Sequence, residues 1–178
     1  PFGFLDHNLR QGDSLLGVND LEQLHYLDMK VSRGTEKQLF TQNIDDLVNQ
    51  ALELRSKLRH TPILDIRDVE VMKHLDLNAR KKLEALELIA DALLTATIRN
   101  GDKKIDITPI SCDAVDAFKG DTVAFDSLKQ RVEENTKINF SVGRKGKNSF
   151  HWCLEFPEVY SNAEKGFDAV IGNPPFLG

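Results

Sequence analysis

Apolar positions recur at steps of three and four through most of the first 135 residues, and that spacing predicts a helical middle. From Asp20, "DLEQLHYLDMKV" sets Leu21, Leu24 and Leu27 three apart, with Asp20 placed to cap the first turn. A second helix is expected after Thr35. There Leu39, Phe40, Ile44, Leu47, Val48, Ala51, Leu54 and Leu58 share one side, and Thr35 can accept from first-turn amides. Thr61-Pro62 ends it, because proline lacks the amide donor and disfavours helical geometry in the residue before it. Residues 66 to 100 return to helix, in one piece or two, with Leu83, Leu86, Ala90, Leu93 and Thr97 on one face and Asn100-Gly101 as the stop. The two long helices are expected to pair antiparallel. Beyond Pro109, Gly120 and Asp121 a further helix, about 121 to 135, should turn Val123, Leu128 and Val132 inward.

The flanks carry a different pattern. "PFGFLDHNLRQGDSLLG", residues 1 to 17, begins with Phe2, Phe4 and Leu5 and suggests a short strand before Gly12. After Asn135, "KINFSVGRKGKNSFHWCLEFPEVY" mixes β-branched and aromatic residues around a glycine-rich basic turn, a texture of extended segments. "FDAVIG", 167 to 172, reads as a short buried strand. The expected class is therefore α/β with few strands, divided into residues 1–19, a helical insertion at 20–135, and an extended segment and strand at 136–178.

Composition bounds the chemistry. At 178 residues, 40% hydrophobic and 29% charged, the chain is an ordinary globular domain. No apolar run approaches the roughly 18 residues that span a bilayer, and the first residues lack the order of a signal peptide, so the expectation is a cytoplasmic protein. Cys112 and Cys153 lack CxxC spacing, so buried thiols are expected, with no metal site. A net charge of −5 argues against a nucleic-acid clamp spread over the whole chain, because phosphate binding relies on clustered cations. Any grip on DNA must be local, as at Arg144, Lys145 and Lys147, or come from outside these residues. The start at Pro1, without an initiator Met, and the abrupt end suggest an internal piece of a longer polypeptide.

"NPPF", residues 173 to 176, directly after the apolar run, can support one specific chemistry. The lone pair of an exocyclic aromatic amine is delocalised into its ring, so the nitrogen is a poor nucleophile. Two acceptors set against its two N–H bonds favour pyramidalisation and turn the lone pair toward an electrophile. Asn173 offers a side-chain carbonyl and Pro174 a backbone carbonyl. The consecutive prolines, Pro174 and Pro175, fix φ, and Pro174 restricts Asn173 to extended geometry, so both acceptors are set before substrate arrives. Phe176 supplies a face on which a flipped base can stack.

"FDAVIGNPPF" resembles the catalytic motif of amino methyltransferases that use S-adenosylmethionine, in particular the adenine-N6 DNA methyltransferases. "FLDHNLRQGDSLLG" and "FHWCLEFPEVY…GFDAVIGNPPFLG" together resemble large restriction-modification enzymes and related phage-defence methylases, over about 45 residues in two blocks. The resemblance implies a Rossmann-like methyltransferase domain dominated by a helical insertion, S-adenosylmethionine as cofactor and double-stranded DNA as partner. It places Asn173, Pro174, Pro175 and Phe176 in the catalytic motif, with Phe where Tyr is common. Asp13 in "QGDSLLG" would contact the adenine of the cofactor, although Gly-Asp-Ser is also ordinary turn composition. The family's glycine-rich loop has no counterpart, since no Gly-x-Gly occurs in the chain. The expectation is therefore that the isolated 178-residue chain neither binds the cofactor well nor methylates, and that its last strand is mobile, displaced or paired with another copy.

Other readings stay open. Asn-Pro-Pro-aromatic also marks methyltransferases of protein glutamine and of ribosomal RNA guanine, and the helical middle could be a non-catalytic interaction module. "GDSL" at 12 to 15 matches a hydrolase motif with Ser14 as nucleophile, but that family's Asp-x-x-His element is absent. His151 and Trp152 are expected to pack rather than react.

Overall fold

The computed structural model describes residues 8–31, 36–62, 65–101, 103–139, 149–161 and 166–172. Seven helices take 68% of them: α1 (Leu21–Tyr26), α2 (Thr41–His60), α3 (Ile66–Asn100), α4 (Thr108–Phe118), α5 (Thr122–Asn139), α6 (Trp152–Glu155) and α7 (Pro157–Tyr160).

Local chemistry sets most of the boundaries. Asp20 caps α1, accepting from Glu22 N, while the Gln23 side chain reaches back to the cap backbone. Asp65 and Asp68 form the same reciprocal arrangement at the start of α3. The 35 residues of α3 run as one helix and stop at Gly101, whose φ of 58° lies where a side chain would be strained. Helix α2 begins at Thr41, later than the periodicity suggests, and Leu39 stands outside it, 97% exposed. Thr35 lies outside the described residues, and Phe40 is the N-cap with no side-chain bond.

Helices α2 and α3 pack along an apolar seam. Arg55 near the end of α2 lies by Asp76 in the first part of α3, the order of an antiparallel pair. Ile44, Val48, Ala51 and Leu58 of α2 meet Leu83, Leu86, Ile89, Ala90 and Leu93 of α3 in a core that also takes in Ile110, Ala114 and Leu128. Each large aliphatic side chain so buried contributes about 1.5–3 kcal/mol, which makes this seam the main source of stability. Polar ties fix the remaining helices. Asp113 of α4 accepts from Ser127 and Arg131 of α5, and Arg99 of α3 donates to Asn135 of α5. Leu128 points inward as its spacing predicts, but Val123 is 74% exposed and Ala124 takes the buried position.

The α/β expectation is overturned. Among the described residues there is no strand and no sheet, only an isolated parallel bridge between Asp13 and Ser149, so this is not a Rossmann-like fold. Residues 8–11 before Gly12 form no strand, α5 continues to Asn139 where extended chain was expected, and "FHWCLEFPEVY" folds into α6 and α7. "FDAVIG" is neither strand nor buried, with Ile171 98% exposed. The physical reason is that a strand is stabilised by its neighbours' backbone groups, and no described segment lies alongside this one to supply them. Phe2, Phe4, Leu5, the basic turn at 144–147 and the motif at 173–176 lie outside the described residues. Cys153 is buried as expected, whereas Cys112 is exposed. Among the described residues no helix is long and apolar enough to cross a membrane, and no three His, Cys, Asp or Glu side chains gather as a metal site.

Candidate functional site

The two blocks that the sequence singles out are seated on each other. Asp13 opens a tight turn, its carboxylate accepting from Leu15 N at 3.2 Å and its carbonyl from Leu16 N at 2.9 Å. The turn runs parallel to residues 149–153: Asp13 bridges to Ser149, and Phe150 N donates to the Leu16 carbonyl at 2.7 Å. His151 Nδ1 accepts from Val18 N at 3.1 Å, and Cys153 Sγ lies 3.8 Å from the Val18 carbonyl. Trp152 Nε1 donates to the Ser14 carbonyl at 3.0 Å.

Two glycines permit this approach. A Cβ on Gly17 would stand 2.0 Å from the Phe150 carbonyl oxygen, and one on Gly12 would stand 2.8 Å from the Phe150 ring. The contact at Gly17 is to backbone, which cannot step aside, so "GDSLLG" needs its closing glycine for backbone-to-backbone proximity.

Helix α3 braces the junction with a polar face. Asp76, Arg80, Glu87 and Asp91 follow at four, seven and four residues, which at 100° per residue keeps them within an arc of about 60°. Asp91 accepts from Ser149 Oγ, and His151 Nε2 lies 3.1 Å from the same carboxylate oxygen. Because Nδ1 of His151 accepts from Val18, its proton is on Nε2 and faces Asp91. Asp76 pairs with Arg10 at 2.9 Å and with Arg80 at 3.1 Å. Arg10 Nε also lies 3.1 Å from Glu155 Oε2, an ionic contact without hydrogen-bond alignment. Burial pushes the Glu87 carboxyl up to about 6, with the negative charges of Glu155 and Asp91 adding to the rise and Arg80 opposing it.

An aromatic cluster completes the junction. Phe150 meets Trp152 edge-on at 4.8 Å, and Phe167 packs edge-on against Trp152 at 5.8 Å, Phe156 at 5.4 Å and Tyr160 at 6.2 Å. Phe167 starts the run that leads to Asn173.

Of the residues singled out by sequence, Asp13 is thus placed at the junction, while Asn173, Pro174, Pro175 and Phe176 lie outside the described residues. Ser14 is exposed, and its carbonyl serves Trp152. His151 and Trp152 do pack, as expected, but both also make directed hydrogen bonds. The bracing face of α3 escaped the sequence reading. Its signal was available as charged positions recurring on one side of a helix whose other side is apolar, a pattern that ordinarily marks solvent.

Comparison with known protein families gives a match. The family model described as Eco57I restriction-modification methylase covers residues 37–178, which takes in α2 through α7 and the motif at 173–176 but leaves out Asp13. No curated protein and no solved structure matches the chain. The match extends over most of the sequence, and the chain therefore belongs to the Eco57I restriction-modification methylase family.

Proposed function

We propose that this methylase transfers a methyl group from S-adenosylmethionine to the N6 amine of adenine in double-stranded DNA, in restriction-modification or phage defence. The observation that carries the reading is the sequence "FDAVIGNPPF" within the family match. The seating of "GDSLLG" on the "FHW" block brings into contact the two blocks that carry the resemblance.

The chain's own residues act on the acceptor side. Asn173 and the Pro174 carbonyl accept the two N–H bonds of the target amine and free its lone pair from the ring. Pro175 keeps the turn rigid, and Phe176 stacks on the flipped base. S-adenosylmethionine supplies the electrophilic methyl group when bound. The described residues do not make a site for it: Asp13 is a single candidate contact, its carboxylate already accepts from its own turn, and the sequence has no Gly-x-Gly loop. Calorimetry on the 178-residue chain should accordingly show no micromolar binding of S-adenosylmethionine.

The direct test is methyl transfer by the full-length protein from labelled donor to duplex DNA, RNA and protein. Incorporation is expected in adenine of DNA, and Asn173→Ala should lower turnover by on the order of 10². Labelling of protein glutamine or of guanine in RNA would move the substrate assignment, and unchanged turnover in Asn173→Ala would remove the cradle.

A further inference from the structure

We propose that Trp152 is a positioning residue for the methylase reaction, clasping the segment that carries Asp13 to the segment that runs into Asn173. The inference rests on the reading of those two residues given above. Trp152 touches both segments at once. Its indole N–H donates to the carbonyl of Ser14, the neighbour of Asp13, at 3.0 Å. Its ring meets Phe167 edge-on, with centroids 5.8 Å apart and planes at 75°.

Phe167, itself 41% exposed, holds the second segment through its ring contacts with Trp152, Phe156 and Tyr160, whereas Val170 and Ile171 beyond it are 78% and 98% exposed. Asn173 follows six positions after Phe167 in the sequence, no more than about 20 Å of extended chain. Trp152 itself is fixed from the other side. The Phe150 ring packs on it at 4.8 Å, and its neighbour His151 is tied to Val18 and to Asp91.

A packing role alone does not account for the indole. Trp152 is only half-buried, and any large apolar ring would serve the aromatic cluster. What a phenyl ring cannot supply is the donor to Ser14, the bond by which this one side chain reaches the Asp13 turn while its ring meets Phe167.

The test compares Trp152→Phe, which keeps a ring and loses the donor, with Trp152→Ala in the full-length protein. Amide hydrogen exchange and methyl-transfer kinetics are read together. Trp152→Phe should keep its melting temperature close to the parent yet lose roughly 2- to 10-fold in kcat, the worth of one hydrogen bond, with faster exchange at residues 13–18. Trp152→Ala should lose more in kcat and also exchange faster at 167–172. A purely structural tryptophan would be rescued by phenylalanine in both readouts, and wild-type turnover with wild-type exchange in Trp152→Phe overturns the proposal even if Trp152→Ala fails to fold. Asn173→Ala serves as the separate control. If it turns over normally, the amine cradle falls, whereas the exchange measurement judges the clasp without reference to chemistry.

Discussion

Arg55 of α2 and Glu158 of α7, 103 residues apart, meet in a two-pronged ion pair, Nε to Oε2 at 2.8 Å and Nη2 to Oε1 at 2.7 Å. Their side chains are 7% and 14% exposed. Such a pair is geometrically demanding, because the planar guanidinium must lie flat against the carboxylate. It fastens the end of α2 to the helical turns that carry the aromatic cluster.

Removing Glu158 would leave Arg55, in a poorly solvated place, with only the more distant Asp76 carboxylate at 3.9 Å. Glu158→Gln should therefore lower stability by about 3 kcal/mol in urea unfolding, whereas exchanging both residues for apolar ones of similar size should recover much of the loss. Arg55→Lys keeps the charge but not the fork, and should fall between the parent and Glu158→Gln.

His151 holds the buried Val18 amide. His151→Ala leaves that donor without its acceptor and opens space beneath the junction, so a cost of about 3 kcal/mol is expected. His151→Asn offers an acceptor again and should recover part of it. Amide exchange at Val18 reads the bond directly.

Gly17→Ala should be more damaging than Gly12→Ala. At Gly17 the new Cβ falls 2.0 Å from a backbone carbonyl oxygen, and at Gly12 it falls 2.8 Å from the Phe150 ring and 3.1 Å from the Ser149 carbonyl. Thermal unfolding should show a loss of roughly 2 kcal/mol or more for the first, the usual scale of overpacking, and a smaller one for the second.

The raised Glu87 carboxyl gives the fold a pH dependence of definite sign. Its pKa is about 6 in the folded chain against 4.5 as the ordinary value, so the folded state binds the proton more tightly. The associated stability is fully present below about pH 4.5 and is lost as the pH rises through about 6, and the rise of about 1.5 units sets a scale of about 2 kcal/mol. Glu87→Gln should therefore stabilise the protein at pH 8 and make little difference at pH 4.5. Paired denaturant titrations at the two pH values check it, and equal effects at both would contradict the assignment.

Much of the helical block was legible because its causes are local. Asp20 and Asp65 satisfy amides within three residues of themselves, and Pro62 and Gly101 end helices by their own backbone chemistry. Even Val123 failed locally, since α5 turns Ala124 inward one position away. The strand at 167–172 was misjudged for the opposite reason: an apolar run so short becomes a strand only when a neighbouring strand is there to receive it. The reading of 173–176 rests on residue types alone, and those residues lie outside the described ones. The bracing of the junction was not legible, because Asp76, Asp91 and Glu158 find their partners 66, 60 and 103 residues away and nothing in their immediate surroundings announces it.

The single-face arrangement of Asp76, Arg80, Glu87 and Asp91 makes α3 a ruler with four marks. One residue inserted between the first mark and the last would swing the marks beyond it by about 100°, carrying Asp91 away from Ser149 and His151 while Asp76 kept Arg10. Changes of length in related chains should consequently accumulate in the connection between α3 and α4 and spare the stretch from 76 to 91.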